Sequence, residues 1–117
     1  FKPDTDDVRE SPGIKLIGLA LKRKCRVFAQ DYLALENTRR LFGDRINYSG
    51  DPLEAAGKAD VVFVATRWDR YLKISDRDFE RRMKKKAVLI DCRSLYKGRP
   101  ERPWRRRVGV GGSFNAK

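Results

Sequence analysis

The stretch "ADVVFVATRWDRY", residues 59–71, decides the fold class predicted for this chain. Its first half is a continuous apolar run, rich in β-branched residues and bounded by Asp60 and Thr66. Such a run, apolar on both faces, is typical of an interior parallel strand. A second buried strand, "AVLID" at 87–91, follows a capped amphipathic helix predicted over 75–86. Strand, helix and strand in this order predict a parallel pair joined by a right-handed crossover.

The same alternation extends in both directions from this unit. Ser11 before Pro12 is an N-cap residue followed by proline at the first helical position, and Asp51 before Pro52 repeats the device. Each pair predicts the start of a helix. The other predicted elements are strands over 26–31 and 45–49, a helix over 33–42 ended by Gly43, and an edge strand over 106–112. This order predicts an α/β fold in three layers, with an open, mostly parallel sheet of about five strands.

One element that such a fold usually contains is missing from the predicted order. The first helix normally follows a strand at the centre of the sheet, but the opening "FKPDTDDVRESP", residues 1–12, carries only Phe1 and Val8 as large apolar residues. The sheet is therefore expected to lack its usual first central strand. Because that leaves two rows of backbone groups unpaired, we expect an exchanged or borrowed strand, a companion polypeptide, or poor stability alone.

The composition limits the class of protein. The chain has 117 residues, which suits one domain with a short tail at 113–117. Its formal charge of +12, from 28 Lys and Arg against 16 Asp and Glu, favours a partner rich in phosphate. Histidine is absent, and Cys25 and Cys92 are far apart, so we expect no metal site and two free thiols. No membrane span or secretory signal is apparent in the sequence, which predicts a cytoplasmic protein.

The predicted topology gathers three segments at one edge of the sheet. In open parallel sheets, ligands bind beyond the carboxyl ends of the strands, and the opening segment, "TRWDRY" at 66–71 and "DCRSLY" at 91–96 all reach that edge. The cations expected to converge there on one anion are Lys2, Arg9, Arg67 and Arg93. Arginine forks beside a helix N-terminus suit a phosphate group. The alternative is that the acids of the opening segment pair with these cations and hold the loop closed.

Weaker signals carry their own alternatives. Cys92 beside Arg93 is either an activated thiolate or, more simply, a small buried side chain. Trp68 is either a surface for stacking a base or an anchor for its loop. The basic cluster "RPERPWRRR", residues 99–107, is either a solvated tail or, with Trp104 inside it, part of a nucleic-acid-binding module, which is the alternative function.

These residues resemble a known family. "FKPDTDDVRESP", "ADVVFVATRWDRY", "VLIDCRSLY" and a final glycine-containing strand are similar to the C-terminal, nucleotide-sugar-binding domain of the UDP-glucose and GDP-mannose 6-dehydrogenases. The likeness spans residues 1 to about 112. It implies a Rossmann-like fold and binding of the nucleotide end of a UDP-sugar or another nucleotide sugar. Members of the family oxidise the sugar in two NAD-dependent steps, and the resemblance implies NAD held mainly by a domain outside this chain.

The resemblance also assigns roles to particular residues. It implies that Lys2 and Arg93 contact the substrate, that Phe1 and Trp68 belong to the surrounding wall and loop, and that Arg9 approaches the NAD. No catalytic residue is expected, because neither cysteine stands in the context of the family's catalytic cysteine. The chain is therefore expected to be inactive alone, and to act as a homodimer or with a companion chain that carries the NAD domain.

Overall fold

The chain alternates helices and parallel strands in the predicted order. A computed structural model describes residues 12–107. The helices are α1 (Pro12–Lys22), α2 (Leu35–Phe42), α3 (Pro52–Gly57) and α4 (Asp76–Arg82). The strands are β1 (Phe28–Gln30), β2 (Asn47–Ser49), β3 (Val61–Val64), β4 (Val88–Asp91) and β5 (Arg105–Arg107). Two short 3-10 helices, Gly43–Arg45 and Asp69–Lys73, complete the order. The predicted α/β fold is confirmed.

Local signals in the sequence place the helix ends. The Asp51 carboxylate accepts a hydrogen bond from the Leu53 N–H at 3.0 Å, so the predicted cap of α3 is confirmed. Ser75 and Asp78 form a reciprocal capping box at the start of α4. Gly43 ends α2 with a φ of 54°, a left-handed conformation that glycine adopts without strain.

The five strands form two separate parallel sheets. β1 pairs with β2, and β3, β4 and β5 pair in that order. Within residues 12–107, no strand pairs with the free edge of β1 or of β3. We call these two edges together the seam. Among residues 12–107 the sheet is thus interrupted between β1 and β3, and the lack of a central strand in the whole chain stays a prediction.

The backbone groups that face the seam follow from the strand register. The Val88 N–H donates to the Asp60 carbonyl and the Cys92 N–H to the Val64 carbonyl, so even-numbered residues of β3 face β4. Successive residues of a parallel strand alternate in direction, and Val61 and Phe63 therefore direct their N–H and C=O groups towards the seam. On β1, the Asn47 N–H donates to the Val27 carbonyl. By the same alternation, Phe28 and Gln30 face the seam.

Helices cover the two sheets on opposite faces. On one side of the seam the strand order runs from β1 to β2, and on the other side it runs from β3 to β4. Because the two directions are opposite, right-handed crossovers place α2 and α4 on opposite faces of the sheets. Two hydrophobic clusters result. The first joins α1 and α2 to β1 through buried residues such as Ile17, Ala29 and Ala34. The second is larger and joins α3 and α4 to β3 and β4 around Phe79 and Leu89.

Three predictions about the elements need correction. β3 is not buried on both faces, because Val61 is 45% and Phe63 42% exposed. α4 ends at Arg82 rather than at residue 86, since Met83 adopts an extended conformation that buries its side chain. The last strand begins at Arg105, and the predicted part at 108–112 lies outside the described residues. No helix in the described part of the chain is long and apolar enough to cross a membrane.

Candidate functional site at the carboxyl edge

The loops after β1 and β3 are tied together by buried hydrogen bonds. Asp31, directly after β1, is 3% exposed and accepts a hydrogen bond from the Trp68 Nε1–H at 2.7 Å. The same carboxylate accepts from the Leu33 N–H and Ala34 N–H and so fixes the turn into α2. The Tyr71 hydroxyl donates to the Gln30 Oε1 at 2.6 Å. These contacts bridge the seam at its carboxyl end.

A third loop joins this arrangement after β4. Asp91 is fully buried and accepts hydrogen bonds from the N–H groups of Arg93, Leu95 and Tyr96. The Tyr96 hydroxyl donates to the Tyr71 carbonyl at 2.7 Å. We call the set Gln30, Asp31, Trp68, Tyr71, Asp91 and Tyr96 the carboxyl-edge frame. It holds three strand-end loops in one fixed arrangement, at the edge where open parallel sheets bind ligands.

The ionisation of the frame favours a structural role. Burial is the main cause that raises the pKa of Tyr71, and the nearby Asp31 raises it further. Burial also raises the pKa of Tyr96, against the opposing charge of Arg99. Both phenols therefore stay protonated near neutral pH and act as hydrogen-bond donors. The sequence pattern indicated neither tyrosine. For Asp31 and Asp91 it did contain a signal, because each is an acid at the end of a predicted strand.

The predicted site residues fall into two groups. Trp68 and Arg93 lie on the carboxyl edge, in the loops after β3 and β4. Trp68 is 8% exposed and its indole N–H is bonded to Asp31, which is the geometry of a loop anchor. Arg93 is exposed, and within residues 12–107 its guanidinium has no ion pair. Phe1, Lys2 and Arg9 lie outside the described residues, so their convergence with Arg93 stays a prediction.

The described carboxyl edge carries little net charge. Its loops at 31–34, 49–51, 65–70 and 91–96 contain the cations Arg67, Arg70 and Arg93 and the acids Asp31, Asp51, Asp69 and Asp91. Two of these acids belong to the frame and are covered by N–H donors. The arginines are exposed, and Arg70 lies over the Tyr32 ring at 4.5 Å from its centroid. An anion at this edge would therefore meet exposed guanidinium groups on loops that the frame holds in place.

A second cluster of charges surrounds Asp76 at the start of α4. Its carboxylate contacts Arg105 at 2.6 Å, Arg99 at 3.1 Å and Arg102 at 3.3 Å. Burial alone would raise the pKa of Asp76, but hydrogen bonds from Arg105 and Arg99 and their charges outweigh it and hold the pKa below its usual value. The three arginines also line an open cavity of about 480 Å³. We call this set the Asp76 cluster.

Trp104 belongs to the fold rather than to an open stacking surface. Its indole N–H donates to Glu80 at 2.9 Å, and its ring lies 5.9 Å from that of Phe79. The ring is therefore held against α4. This placement removes the exposed aromatic on which a single-strand-binding role for the basic cluster 99–107 depended.

The two thiols differ in environment. Burial, reinforced by Asp91, raises the pKa of Cys92, so this half-buried thiol is the opposite of an activated thiolate. Cys25 is exposed on the connection between α1 and β1. Among residues 12–107, no three His, Cys, Asp or Glu side chains are grouped as a metal site requires.

Comparison with known proteins gives one family throughout. The model of the UDP-glucose/GDP-mannose dehydrogenase family, UDP binding domain, matches residues 1–98. A UDP-glucose 6-dehydrogenase of Rhizobium meliloti is 34% identical over 99 residues, which are 83% of this chain and 22% of that protein. A UDP-glucose 6-dehydrogenase of Haloferax volcanii is 37% identical over 95 residues, 81% of this chain and 21% of that protein.

A solved structure extends the likeness to three dimensions. The UDP-glucose dehydrogenase of Pyrobaculum islandicum superimposes with a TM-score of 0.64 at 35% identity, over 78% of this chain and 19% of that one. The chain thus spans about a fifth of the length of the proteins it matches.

Proposed function

Because the chain belongs to the UDP-glucose/GDP-mannose dehydrogenase family and corresponds to its UDP-binding domain, we propose that it binds the nucleotide end of a UDP-sugar at its carboxyl edge. The observation that carries the proposal is the carboxyl-edge frame. Three strand-end loops are fixed there by hydrogen bonds of 2.6 to 2.7 Å, while Arg67 and Arg93 are exposed beside them. Rigid loops with exposed guanidinium groups suit a diphosphate, since arginine binds phosphate oxygens in pairs.

The resemblance to the family supports individual roles for residues of this site. We assign Arg93 and Lys2 to the substrate's phosphates or sugar, and Phe1 to the wall of the site. Trp68 supports the site as the anchor of its loop. Because the described edge has little net charge, most of the attraction for a diphosphate is assigned to Lys2, Arg67 and Arg93 together.

The redox chemistry of the family is assigned elsewhere. The chain has no GxGxxG turn, and we propose that NAD is held mainly by another part of the enzyme, with Arg9 approaching it. When it is bound, NAD accepts the hydride that the oxidation releases. The present residues bind and orient the nucleotide, so the proposal includes no activity for the chain alone. A cytoplasmic location belongs to the same proposal.

We further propose that an additional parallel strand fills the seam in the working protein, supplied by another part of the enzyme, by a companion chain or by a second copy. The support is the set of backbone groups on Phe28, Gln30, Val61 and Phe63 that no strand within residues 12–107 pairs, together with the half-exposed side chains of β3. Unpaired parallel edges are strongly disposed to accept another strand.

Titration calorimetry tests the binding proposal. UDP and UDP-glucose are expected to release heat with the full chain. Arg93→Ala should weaken binding about tenfold, the effect of losing a charge-assisted hydrogen bond of about 1.5 kcal/mol. Arg77→Ala is the matched control, because Arg77 is an exposed arginine on α4. No heat with UDP, UDP-glucose or GDP-mannose, or equal losses in the two variants, would refute the proposal.

Hydrogen exchange tests the seam. In the monomeric chain, the amides of Phe28, Gln30, Val61 and Phe63 should exchange far faster than those of Val62 and Val64, which face β4. Sedimentation identifies a second copy, and protection of the four amides should appear only in the assembled form. Protection of all four in a proven monomer would contradict the proposal.

A further inference from the structure

The excess positive charge lies at the amino edge of the sheets, where the strands begin. Helices in parallel α/β units run back against their strands, so the ends of α1, α3 and α4 lie at this edge. The connections at 22–26, 58–60 and 81–86 carry one acid, Asp60. Their exposed cations are Lys22, Arg23, Lys24, Arg26, Lys58, Arg81, Arg82, Lys84, Lys85 and Lys86. We call these ten cations the amino-edge rim.

Side-chain and backbone contacts join the three connections into one surface. The Arg26 guanidinium lies 5.5 Å and the Lys58 ammonium 5.8 Å from the centre of the same Phe28 ring. Asp60 pairs with Lys84 at 3.2 Å, and the Val88 N–H donates to the Asp60 carbonyl. The α1–β1 connection therefore meets the α3–β3 connection, which in turn meets the α4–β4 connection.

The rim exceeds what helix termini require. Cations near a helix C-terminus relieve the helix dipole, and one or two per helix would serve that purpose. In these three connections ten cations face one acid, which is already paired with Lys84, and the fourth connection at this edge, 43–46, adds one acid and one cation, Asp44 and Arg45. The described carboxyl-edge loops hold three cations and four acids. The excess positive charge is thus concentrated at the amino edge of the sheets. The rim lies at the edge opposite the proposed nucleotide-sugar site.

From this geometry we infer that the amino-edge rim is a binding surface for the phosphate backbone of double-stranded nucleic acid. A contiguous set of exposed Lys and Arg neutralises phosphates and releases counterions whatever the base sequence. Binding of single strands relies on exposed aromatic platforms. At the rim, Phe28 is covered by Arg26 and Lys58, and Trp104 is held against α4 by Glu80. The denser charge of a duplex therefore fits this surface better.

The inference is independent of nucleotide-sugar binding, because the two surfaces lie at opposite edges and share no residue. Failure of one proposal consequently leaves the other intact. Calorimetry with UDP reports on the carboxyl edge, and the duplex measurement below reports on the rim.

The test is fluorescence anisotropy of a labelled DNA duplex of about 24 base pairs, titrated with the full chain at several salt concentrations. The rim variant replaces four cations: Lys22→Gln, Arg23→Gln, Lys85→Gln and Lys86→Gln. The control variant removes the same charge from exposed positions elsewhere: Lys15→Gln, Lys73→Gln, Arg77→Gln and Lys97→Gln. Circular dichroism checks that each variant is folded, and Lys85→Gln with Lys86→Gln is the smaller substitute for the rim variant.

We expect the natural chain to bind with a steep salt dependence. The slope of log K against log salt should be shallower by about 3 to 4 in the rim variant, because each lost phosphate contact reduces its magnitude by about 0.9. Its affinity at low salt should fall at least tenfold below that of the control. Three results would overturn the inference: no duplex binding at low salt, equal losses in both variants, or tighter binding to phosphatidylserine vesicles than to the duplex.

Discussion

Replacing Asp76 by asparagine removes the one negative charge shared by three arginines. Asp76 is 12% exposed in its side chain, and its strongest partner, Arg105, is 6% exposed. Asparagine keeps the size of the side chain and one accepting oxygen. The substitution therefore tests charge within an unchanged shape, and it leaves the Arg105 guanidinium buried without a counterion.

The expected loss of stability follows from these exposures. Breaking a buried ion pair by removing one partner costs about 3 to 5 kcal/mol. The cost is reduced here because Arg99 is 22% and Arg102 39% exposed, so water reaches both once the carboxylate is lost. We expect the free energy of unfolding to fall by about 2 to 3 kcal/mol. For a domain of this size that lowers the midpoint of thermal unfolding by about 8 to 12 °C.

The pH dependence provides a second measurement on the same pair of proteins. The pKa of Asp76 is lower in the folded than in the unfolded chain, so its stabilising contribution is complete above the ordinary carboxyl pKa of about 3.9. The contribution is lost as the pH falls through the lower folded pKa. The difference in stability between the natural chain and Asp76→Asn should be constant from about pH 8 to 5 and shrink below about pH 4.

Urea unfolding followed by tryptophan fluorescence measures both effects. Asp60→Asn is the control, because Asp60 also pairs with one cation at 3.2 Å but is 90% exposed. Such surface pairs contribute about 0 to 1 kcal/mol. The reasoning would be refuted if Asp76→Asn cost no more than Asp60→Asn at pH 7. A stability difference that did not change with pH would equally contradict it.

Three further predictions concern the frame, the helix packing and the thiols. Trp68→Phe should lower the free energy of unfolding by about 1.5 to 3 kcal/mol, because it leaves Asp31 buried without one charged hydrogen bond, and urea unfolding should show it. Gly18→Ala should stabilise α1 by about 0.5 to 1 kcal/mol, whereas Gly57→Ala should destabilise, since its Cβ would lie 3.0 Å from the Arg82 carbonyl oxygen; a gain in both would disprove the close packing of α3 on α4. Alkylation read by mass spectrometry at pH 8 should modify Cys25 well before Cys92, whose pKa is raised by burial, and equal rates would contradict this.

The order of elements was predictable because local chemistry encodes it. Asp51 before Pro52 and Ser75 with Asp78 fix helix starts through hydrogen bonds within a few residues. The run 61–64 was correctly predicted as a strand, but the exposure of its side chains depends on what packs against the sheet. Composition cannot distinguish a strand covered on both faces from one left open at an edge.

The residues that build the site were harder to predict, because their partners are distant in sequence. Asp31 and Trp68 are separated by 37 positions, and Gln30 and Tyr71 by 41. No local pattern indicates such pairs. The same limit applies to the Asp76 cluster, whose arginines come from the segment after β4. The sequence pattern predicted a solvated tail or a nucleic-acid surface for the basic cluster 99–107, but three of its five arginines are ion-paired with Asp76.

The allocation of side chains at the carboxyl edge constrains how a ligand is recognised there. The buried polar groups of the frame bond to one another, and removing a partner from any of them leaves a buried donor or acceptor unsatisfied. A ligand that displaced these hydrogen bonds would gain little binding free energy, because each new hydrogen bond would replace one that the frame had already formed. For the proposed ligand we therefore expect recognition by groups outside the frame, above all by the exposed arginines of the described edge. Affinity for a diphosphate should then depend strongly on salt, while the stability of the frame should not. A ligand affinity insensitive to salt would instead place the binding energy in the frame itself.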